Sequence, residues 1–246
     1  MPDLIGKAAL VTGGSRGIGA AICRRLAADG ADVALTYAHA AAQAQAVVTA
    51  IGSHGRRGMA VAADSADPGA IKRAVAEVVG HFGRLDILVN NAGIFPNGPF
   101  EDVTLEELDR TLAVHVRAVF VASQAAAPHM RGGGRIISIG SCFAERVPYA
   151  GVSLYAMSKS ALIGLTKGLA RDLGPHGISV TLVHPGSTDT EMNPADGPTA
   201  DAERSFIALG HYGRPEDVAA TVAHLAGEGG RYITGTSIAV DGGFAA

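Results

Sequence analysis

The sequence predicts a doubly wound α/β domain, on two observations that hold along its 246 residues. Short apolar runs alternate with longer helical stretches from one end of the chain to the other. The apolar runs are continuous, as strands covered on both faces require. Strict alternation of strand and helix implies right-handed crossovers between parallel strands. We therefore expect one domain over residues 1–246, with a mostly parallel seven-stranded sheet and helices on both faces.

The strands are predicted from apolar runs that end in glycine, proline or polar turns. The first run ends in GGSRGIG, and the fourth is followed by NNAG. The predicted strands are Lys7–Thr12, Asp32–Thr36, Gly58–Ala63, Leu85–Val89, Arg135–Ile139, Ile178–Val183 and Thr236–Val240.

Three of the predicted helices carry recognisable start signals. Asp67-Pro68 reads as an N-cap followed by proline at the first helical position. Thr104-Leu-Glu-Glu107 is a capping box, and Arg214-Pro-Glu-Asp217 places acids where the helix dipole favours them. The predicted helices are Ala20–Ala28, Ala38–Ile51, Asp67 to about Phe82, Thr104 to about His129, about Val152 to Leu173, and one that begins at Arg214. A substrate-loop insertion around 188–212 is the only long irregular segment expected.

Bulk composition excludes several classes of protein. The chain is 48% hydrophobic and 17% charged, which is typical of a globular protein, and its net charge of −3 gives no footprint for nucleic acid or anionic membranes. Cys23 and Cys142 are far apart, and the nine histidines form no HExxH pattern, so we expect neither disulfides nor a metal site. The start shows no signal-peptide pattern and no stretch is long and apolar enough to span a membrane, so a cytoplasmic location is expected.

The glycine-rich turn after the first strand predicts a phosphate site. Gly13, Gly17 and Gly19 let the backbone turn tightly and approach a pyrophosphate, which the following helix N-terminus attracts. The spacing differs from both GxGxxG and the Walker loop. Two alternatives stay open: a hydrolase nucleophile elbow with Ser15 as nucleophile, and a tight turn that binds nothing.

The residues after the second predicted strand distinguish between an NAD(H) site and an NADP(H) site. An NAD-preferring site normally has a carboxylate at the end of that strand, and this chain has none from Val33 to Ala63. Arg16 stands beside Gly17, where a guanidinium can meet a 2′-phosphate. NADP(H) is therefore favoured over NAD(H), although Arg16 as an ordinary surface arginine remains an alternative.

Ser141, Tyr155 and Lys159 predict a proton-transfer site. In a helix, Tyr155 and Lys159 lie one turn apart on the same face. A phenol has a pKa of about 10, and a nearby ammonium favours the phenolate and lowers that pKa. Ser141 at a strand end can bond the same substrate oxygen. The Tyr/Lys spacing alone is a weak motif, since a surface pair has the same pattern.

These motifs occur together in an order that resembles the short-chain dehydrogenases/reductases over the whole chain. The similarity is greatest to the branch typified by 3-oxoacyl-carrier-protein reductases. The matching segments are Thr12–Gly19, Asn90–Gly93, Ser141, Tyr155-x-x-x-Lys159, Pro185-Gly186 and Asp241-Gly-Gly243.

The resemblance implies a role for each matching residue in a Rossmann-type fold. Tyr155 is expected to be the general acid, Ser141 to orient the substrate oxygen, and Lys159 to bind the nicotinamide ribose and lower the pKa of the tyrosine. Asp64 is expected near the adenine, Asn91 near a ribose, and Thr188 and Thr190 near the carboxamide. The expected cofactor set is Gly13, Ser15, Arg16, Gly17, Ile18, Gly19, Ala38, Asp64, Asn91, Ala92, Gly93, Tyr155, Lys159, Pro185, Gly186, Thr188 and Thr190.

Two features depart from the family pattern. His115 occupies the place of the usual asparagine that holds a water in the proton relay, so it is either a catalytic replacement or a residue that packs and bonds locally. Fourteen positions separate Ser141 from Tyr155, one more than in many members, so the loop Cys142–Val152 is expected to reshape the pocket wall.

The resulting hypothesis is an NADPH-dependent oxidoreductase that reduces a ketone or aldehyde reversibly, with Tyr155 as general acid and base. The alternative is a nucleotide-binding regulatory protein on the same fold with little turnover. Candidate substrate-pocket residues are Phe95, Phe143, Tyr149 and Met192, with Phe206 and Leu209 beyond them, which favours a neutral or partly hydrophobic carbonyl compound. The resemblance also implies a homotetramer, with no nucleic-acid or membrane partner.

Overall fold

The computed structural model describes residues 4–130 and 132–246, and it contains all seven predicted strands in one sheet. The strand order is β3-β2-β1-β4-β5-β6-β7, and every pairing within the sheet is parallel. The predicted fold class is confirmed, and the sheet is more uniform than the mostly parallel one expected. The strands are β1 Ala8–Val11, β2 Asp32–Tyr37, β3 Gly58–Ala62, β4 Ile87–Asn90, β5 Arg135–Ile139, β6 Ser179–Pro185 and β7 Thr236–Val240.

The helices cover both faces of the sheet. They are α1 Gly17–Ala28, α2 Ala41–Ser53, α3 Pro68–Phe82, α4 Leu105–Leu112, α5 Ala118–Ala126, α6 Ser153–Leu173, α7 Ala200–Arg204 and α8 Pro215–Ala226. Helices α1, α2 and α8 bury their apolar residues with one face of the strands, and α3, α5 and the end of α6 do so with the other. Strand β1 pairs with both β2 and β4, so the strand order reverses there, which is where doubly wound sheets bind ligands.

The predicted helix starts are confirmed by their capping bonds. Asp67 Oδ1 accepts a hydrogen bond from Gly69 N at 2.7 Å, and Thr104 Oγ1 accepts one from Glu107 N at 3.1 Å. In α8 the acceptor is Asp217 Oδ2, which takes the backbone N–H of Arg214 at 2.8 Å. Each bond satisfies a backbone donor that a helix N-terminus leaves unpaired.

Three predicted helices differ from the structure. Helix α1 begins at Gly17, three residues before the predicted start at Ala20. The helix from Thr104 to His129 is not regular: between α4 and α5 the backbone takes a π-helical turn over Ala113–Arg117, and His115 in this turn bonds to the loop after β4. Helix α2 begins at Ala41 instead of Ala38, because residues 38–40 continue from β2 along the edge of a cleft and offer no capping side chain. The insertion after β6 also contains the short helix α7.

Two properties of the described residues bear on function. No helix in 4–130 or 132–246 is long and apolar enough to cross a membrane. Within the same residues, no group of three or more His, Cys, Asp and Glu side chains lies close enough together to hold a metal ion. Cys23 and Cys142 are both buried free thiols.

Candidate active site

The carboxyl ends of β1, β4, β5 and β6 open into a cleft of about 840 Å³. Every residue of the expected cofactor set lines this cleft, from Ala38 and Asp64 at one end to Thr188 and Thr190. Ser141 lines it too, as do the four candidate substrate-pocket residues Phe95, Phe143, Tyr149 and Met192. Three sequence-predicted site residues do not line the cleft: His115, Phe206 and Leu209.

The turn between β1 and α1 forms a cradle in which Gly13, Gly17 and Gly19 occupy positions that favour glycine. Gly13 and Gly17 have φ values of 63° and 52°, which favour glycine. A Cβ on Gly19 would overlap the carbonyl oxygen of Gly13 and lie 2.5 Å from Asn91 Nδ2. The α1 N-terminus has no side-chain cap at Arg16, so its first N–H groups are free to meet an anion. This geometry fits a dinucleotide pyrophosphate.

The hydrolase alternative loses support at the same turn. A nucleophilic serine needs a base within hydrogen-bond reach. Among the described residues, Ser15 Oγ has no hydrogen bond to a histidine or carboxylate. The turn is therefore better suited to bind phosphate than to carry a nucleophile.

Asn91 holds the turn from the neighbouring strand. Its Nδ2 donates to the carbonyl oxygens of Thr12 and Gly13, each at 3.0 Å. Thr12 Oγ1 in return accepts the backbone N–H groups of Asn91 and Ala92 at 3.0 and 3.1 Å. The amide donors of Asn91 are thus committed to the protein, and its expected contact with a ribose would have to use the rest of the residue.

The nucleotide end of the cleft carries several charged side chains. Arg16 Nη1 forms an exposed ion pair with Glu191 Oε2 at 3.2 Å, and Arg110 Nη2 forms one with Asp64 Oδ2 at 3.4 Å. His39 and Gln43 line the same end, and sequence reasoning missed both. His39 had a detectable signal, because it is the first ionisable residue after a strand that lacks the usual carboxylate.

Tyr155 and Lys159 lie one turn apart near the start of α6, with Lys159 Nζ 5.7 Å from the centre of the tyrosine ring. Lys159 Nζ donates to the carbonyl oxygen of Ile139 at 3.1 Å, and burial lowers the pKa of Lys159 to about 8. Burial raises the pKa of Tyr155 to about 12, while a hydrogen bond with Ser141 lowers it. The direction is opposite to the one expected, because loss of solvation is the largest effect on this phenol and Lys159 is not among the groups that shift its pKa. Tyr155 is a neutral phenol at neutral pH and can give up a proton.

Ser141 is held in place by a histidine that sequence reasoning missed. Ser141 N donates to His184 Nδ1 at 3.0 Å, and Ser141 Oγ accepts the N–H of Phe143 at 3.2 Å. His184 is 1% exposed, and burial lowers its pKa. Its Nε2 has no hydrogen-bond partner among the described residues and lies 3.7 Å from Glu145 Oε1. The ring fits because residue 140 is glycine: a Cβ there would lie 2.7 Å from His184 Cε1.

His115 bonds to protein groups through both ring nitrogens. Nε2 accepts the backbone N–H of Ile94 at 3.0 Å, so the proton of the neutral ring is on Nδ1, which lies 2.8 Å from Ser158 Oγ. Ser158 Oγ in turn donates to the carbonyl oxygen of Tyr155 at 2.7 Å. Burial, and next the charge of Lys159, lower the pKa of His115 to about 3. This arrangement supports a positioning role for His115 and leaves neither nitrogen free to carry protons.

Aromatic rings form the wall beside Tyr155. The ring of Phe95 lies edge-on to Tyr155 with centroids 4.8 Å apart, and the ring of Phe143 does so at 5.9 Å. Tyr149 packs edge-on against Phe143 at 5.5 Å. A carbonyl group placed against Tyr155 would therefore be attached to a body that lies among apolar surfaces.

Comparison with known proteins agrees with the geometry. A family model described as enoyl-(acyl carrier protein) reductase matches residues 13–245. The cyclic-di-GMP-binding biofilm dispersal mediator protein of Escherichia coli (strain K12) is 46% identical over 246 residues, covering 100% of both chains. A short chain dehydrogenase from Burkholderia cenocepacia J2315, crystallised in complex with NADP, is 65% identical with a TM-score of 0.98 over 99% of each chain. A blue fluorescent protein from a metagenomic library, crystallised with NADPH, is 58% identical with a TM-score of 0.97, covering 99% of this chain and 100% of that one.

Proposed function

The chain belongs to the short-chain dehydrogenase/reductase family, and from that premise we propose that it is an NADPH-dependent reductase of ketones or aldehydes that also runs in reverse as an alcohol dehydrogenase. One observation carries this proposal. The neutral Tyr155 phenol, bonded to Ser141 and one turn from Lys159, lies in the same cleft as the glycine cradle. A proton donor and a dinucleotide site that share one cleft suit the reduction of a carbonyl group.

NADP(H) is the proposed cofactor. The cradle of Gly13, Gly17 and Gly19 would hold the pyrophosphate, and the segment after β2 supplies His39 where an NAD site would have a carboxylate. Arg16 at the α1 N-terminus is the proposed partner of the 2′-phosphate. The relatives crystallised with NADP and NADPH support the same choice.

The proposed mechanism assigns separate tasks to three side chains. Bound reduced nicotinamide supplies the hydride for the carbonyl carbon. Tyr155 donates its phenolic proton to the carbonyl oxygen, and Ser141 orients that oxygen through its hydroxyl. The ammonium of Lys159 stabilises the phenolate that remains, since a nearby positive charge favours the charged form. His115 and His184 act as positioning residues for Tyr155 and Ser141.

We further propose that residues 1–246 work as one cofactor-binding and catalytic domain within a homotetramer in the cytoplasm, on a small-molecule substrate. Phe120 on α5 and Met157 on α6 are each 48% exposed, and exposed apolar side chains on these two helices favour association between copies. Size-exclusion chromatography with light scattering would test the assembly, and a monomer at micromolar concentration would contradict it.

A substrate screen tests the proposed activity. Purified protein is given NADPH or NADH with a panel of ketones and aldehydes, and coenzyme consumption is followed by absorbance. We expect turnover with NADPH and a much lower rate with NADH. NADPH deuterated at C4 should deliver deuterium to the carbinol carbon of the product. NADPH binding without turnover across the panel would contradict the proposal.

A second candidate is a nucleotide-binding regulatory protein with little turnover. The name of the Escherichia coli relative, which describes binding of cyclic di-GMP, favours this candidate. Titration calorimetry with cyclic di-GMP, with and without NADPH, would separate the two functions. Tight binding of cyclic di-GMP together with an inactive carbonyl screen would support regulation, and robust NADPH turnover would count against it.

A further inference from the structure

The part of the cleft beyond Tyr155 carries a single charge. We define this region as the substrate arm, lined by Phe95, Phe143, Tyr149, Met192, Asn193 and Glu203. Three of its six residues are aromatic, and Phe206 and Phe244 pack behind them. Among the described residues that line the arm, Glu203 alone has an ionisable carboxylate or cation.

The positively charged side chains of the cleft lie outside the substrate arm. Arg16 and Arg110 lie at the nucleotide end, paired with Glu191 and Asp64, and Lys159 lies under Tyr155. Two arginines lie close to the arm without lining it: Arg146 donates to the carbonyl oxygen of Phe244, and Arg204 pairs with Asp201. The two ends of the cleft therefore differ in charge: the nucleotide end carries two ion pairs, whereas Glu203 in the arm has no cation paired with it among the described ion pairs.

Glu203 is held in a defined position. Its Oε2 accepts a hydrogen bond from Asn193 Nδ2 at 2.9 Å, and Asn193 Oδ1 accepts one from the hydroxyl of Tyr212 at 3.4 Å. Helix α7 carries the residue, and the backbone of Asn193 pairs with that of Thr190 on the cofactor side. The carboxylate thus belongs to a network that links the insertion to the cleft wall.

The charge of Glu203 acts on two neighbouring tyrosines, Tyr149 in the arm and Tyr212 behind it. Burial, and next the charge of Glu203, raise the pKa of Tyr149. The same two causes in the same order raise the pKa of Tyr212. Since Tyr149 and Glu203 are both half-buried, a charge between them is screened less than one on an open surface.

We propose that Glu203 selects substrates by charge: the arm takes carbonyl compounds with an apolar body that are neutral or cationic, and it rejects those with a carboxylate or phosphate on that body. The inference rests on the proposed function and adds a substrate class to it. An anionic substituent in the arm would lie near Glu203 with no cation lining the arm to pair with it, and like charges brought together in a poorly hydrated site repel. A cationic substituent would gain an ion pair in the same place.

A matched substrate pair tests the selection. Methyl benzoylformate and benzoylformate share one aromatic keto body, and only the second is anionic. We expect the neutral ester to have a kcat/KM roughly ten- to hundredfold above that of the acid, chiefly through KM, and we expect the ratio to fall with added NaCl. Glu203→Gln should reduce the ratio by about tenfold. Glu216→Gln removes an equal charge from the exposed start of α8, outside the cleft, and should leave the ratio unchanged.

Two results would overturn the inference: equal kcat/KM for acid and ester in the unmodified enzyme, or the same ratio in Glu203→Gln as in the unmodified enzyme. Turnover with an unchanged ratio would leave the proposed reductase activity standing. If no carbonyl compound is turned over, the reductase proposal fails. The charge selection by Glu203 is then tested separately, by calorimetric titration of the NADPH complex with benzamide and with benzoate to compare their affinities. Equal affinity for the two would overturn it, whereas weaker benzoate binding that Glu203→Gln restores would support it.

Discussion

Ile94 donates its backbone N–H to Nε2 of His115 at 3.0 Å, which ties the loop after β4 to the π-helical turn between α4 and α5. The other ring nitrogen reaches Ser158, whose hydroxyl bonds the backbone of Tyr155. One neutral histidine therefore connects the loop on one side of the cleft to the start of α6 on the other.

Replacement of His115 tests this connection. His115→Leu leaves the partly buried N–H of Ile94 without an acceptor, so we expect a loss of about 1 kcal/mol in the free energy of unfolding and a lower kcat. His115→Asn keeps an acceptor and should recover part of both. Urea unfolding and NADPH oxidation measure the two effects. His129→Leu, at an exposed position, is the control, and a His115→Leu protein with unchanged kcat would contradict the positioning role.

Addition of one methyl group at Gly19 should abolish tight cofactor binding. The new Cβ would overlap the carbonyl oxygen of Gly13, so Gly19→Ala must distort the cradle. Gly80→Ala in α3 meets no atom within 4 Å and should stabilise the fold by up to about 1 kcal/mol. Fluorescence titration with NADPH compares the two variants. Equal affinity in both would show that the turn does not hold the pyrophosphate.

Arg16 should determine part of the preference for NADPH. Its guanidinium can bond a 2′-phosphate, so Arg16→Ala should reduce the ratio of kcat/KM for NADPH to that for NADH by roughly tenfold. Glu191→Gln removes the competing carboxylate at 3.2 Å and should increase the affinity for NADPH. Arg24→Ala, on the exposed side of α1, controls for net charge. If the coenzyme ratio of Arg16→Ala matches that of Arg24→Ala, the assignment of Arg16 fails.

The two reaction directions should respond differently to pH. Reduction uses the protonated phenol, and burial raises the pKa of Tyr155 to about 12, so the phenol stays protonated through the neutral and mildly alkaline range and reduction should gain nothing as pH rises. Oxidation needs the phenolate, so its rate should increase with pH. Lys159, with a pKa of about 8, loses the charge that favours the phenolate on the alkaline side, which limits the rise. Rates measured in both directions from about pH 6 to about pH 10 check this, and superimposable profiles would contradict it.

Local sequence patterns were sufficient to predict the strands and three helix starts, because the chemistry of neighbouring residues determines both. The continuous apolar runs identified every strand, and Asp67, Thr104 and Arg214 marked real helix starts. The bond between Ile94 and the π-helical turn at His115 could not be predicted, because the two residues are distant in sequence. The part played by His184 was hidden for the same reason, since its partner Ser141 follows a different strand.

The direction of the Tyr155 pKa shift shows most directly what the sequence alone could not predict. Sequence spacing places Lys159 one turn away, which argues for a lowered pKa, but it says nothing of how deeply the phenol is buried. Burial depends on Phe95 and Phe143, which arrive from the ends of β4 and β5. A pKa is set by the whole three-dimensional environment, so a motif can identify the group without giving the sign of its shift.

The central claim is that Tyr155 supplies the proton in carbonyl reduction, and Tyr155→Phe tests it most directly. The variant removes one hydroxyl from the cleft, while Tyr232→Phe removes one from a side chain that is 94% exposed. With the best ketone of the screen, we expect Tyr155→Phe to lose at least about a hundredfold in kcat, as expected for loss of a general acid, with the Kd for NADPH little changed. Tyr232→Phe should match the unmodified protein. Ketone-dependent NADPH oxidation by Tyr155→Phe at the unmodified rate would contradict the account.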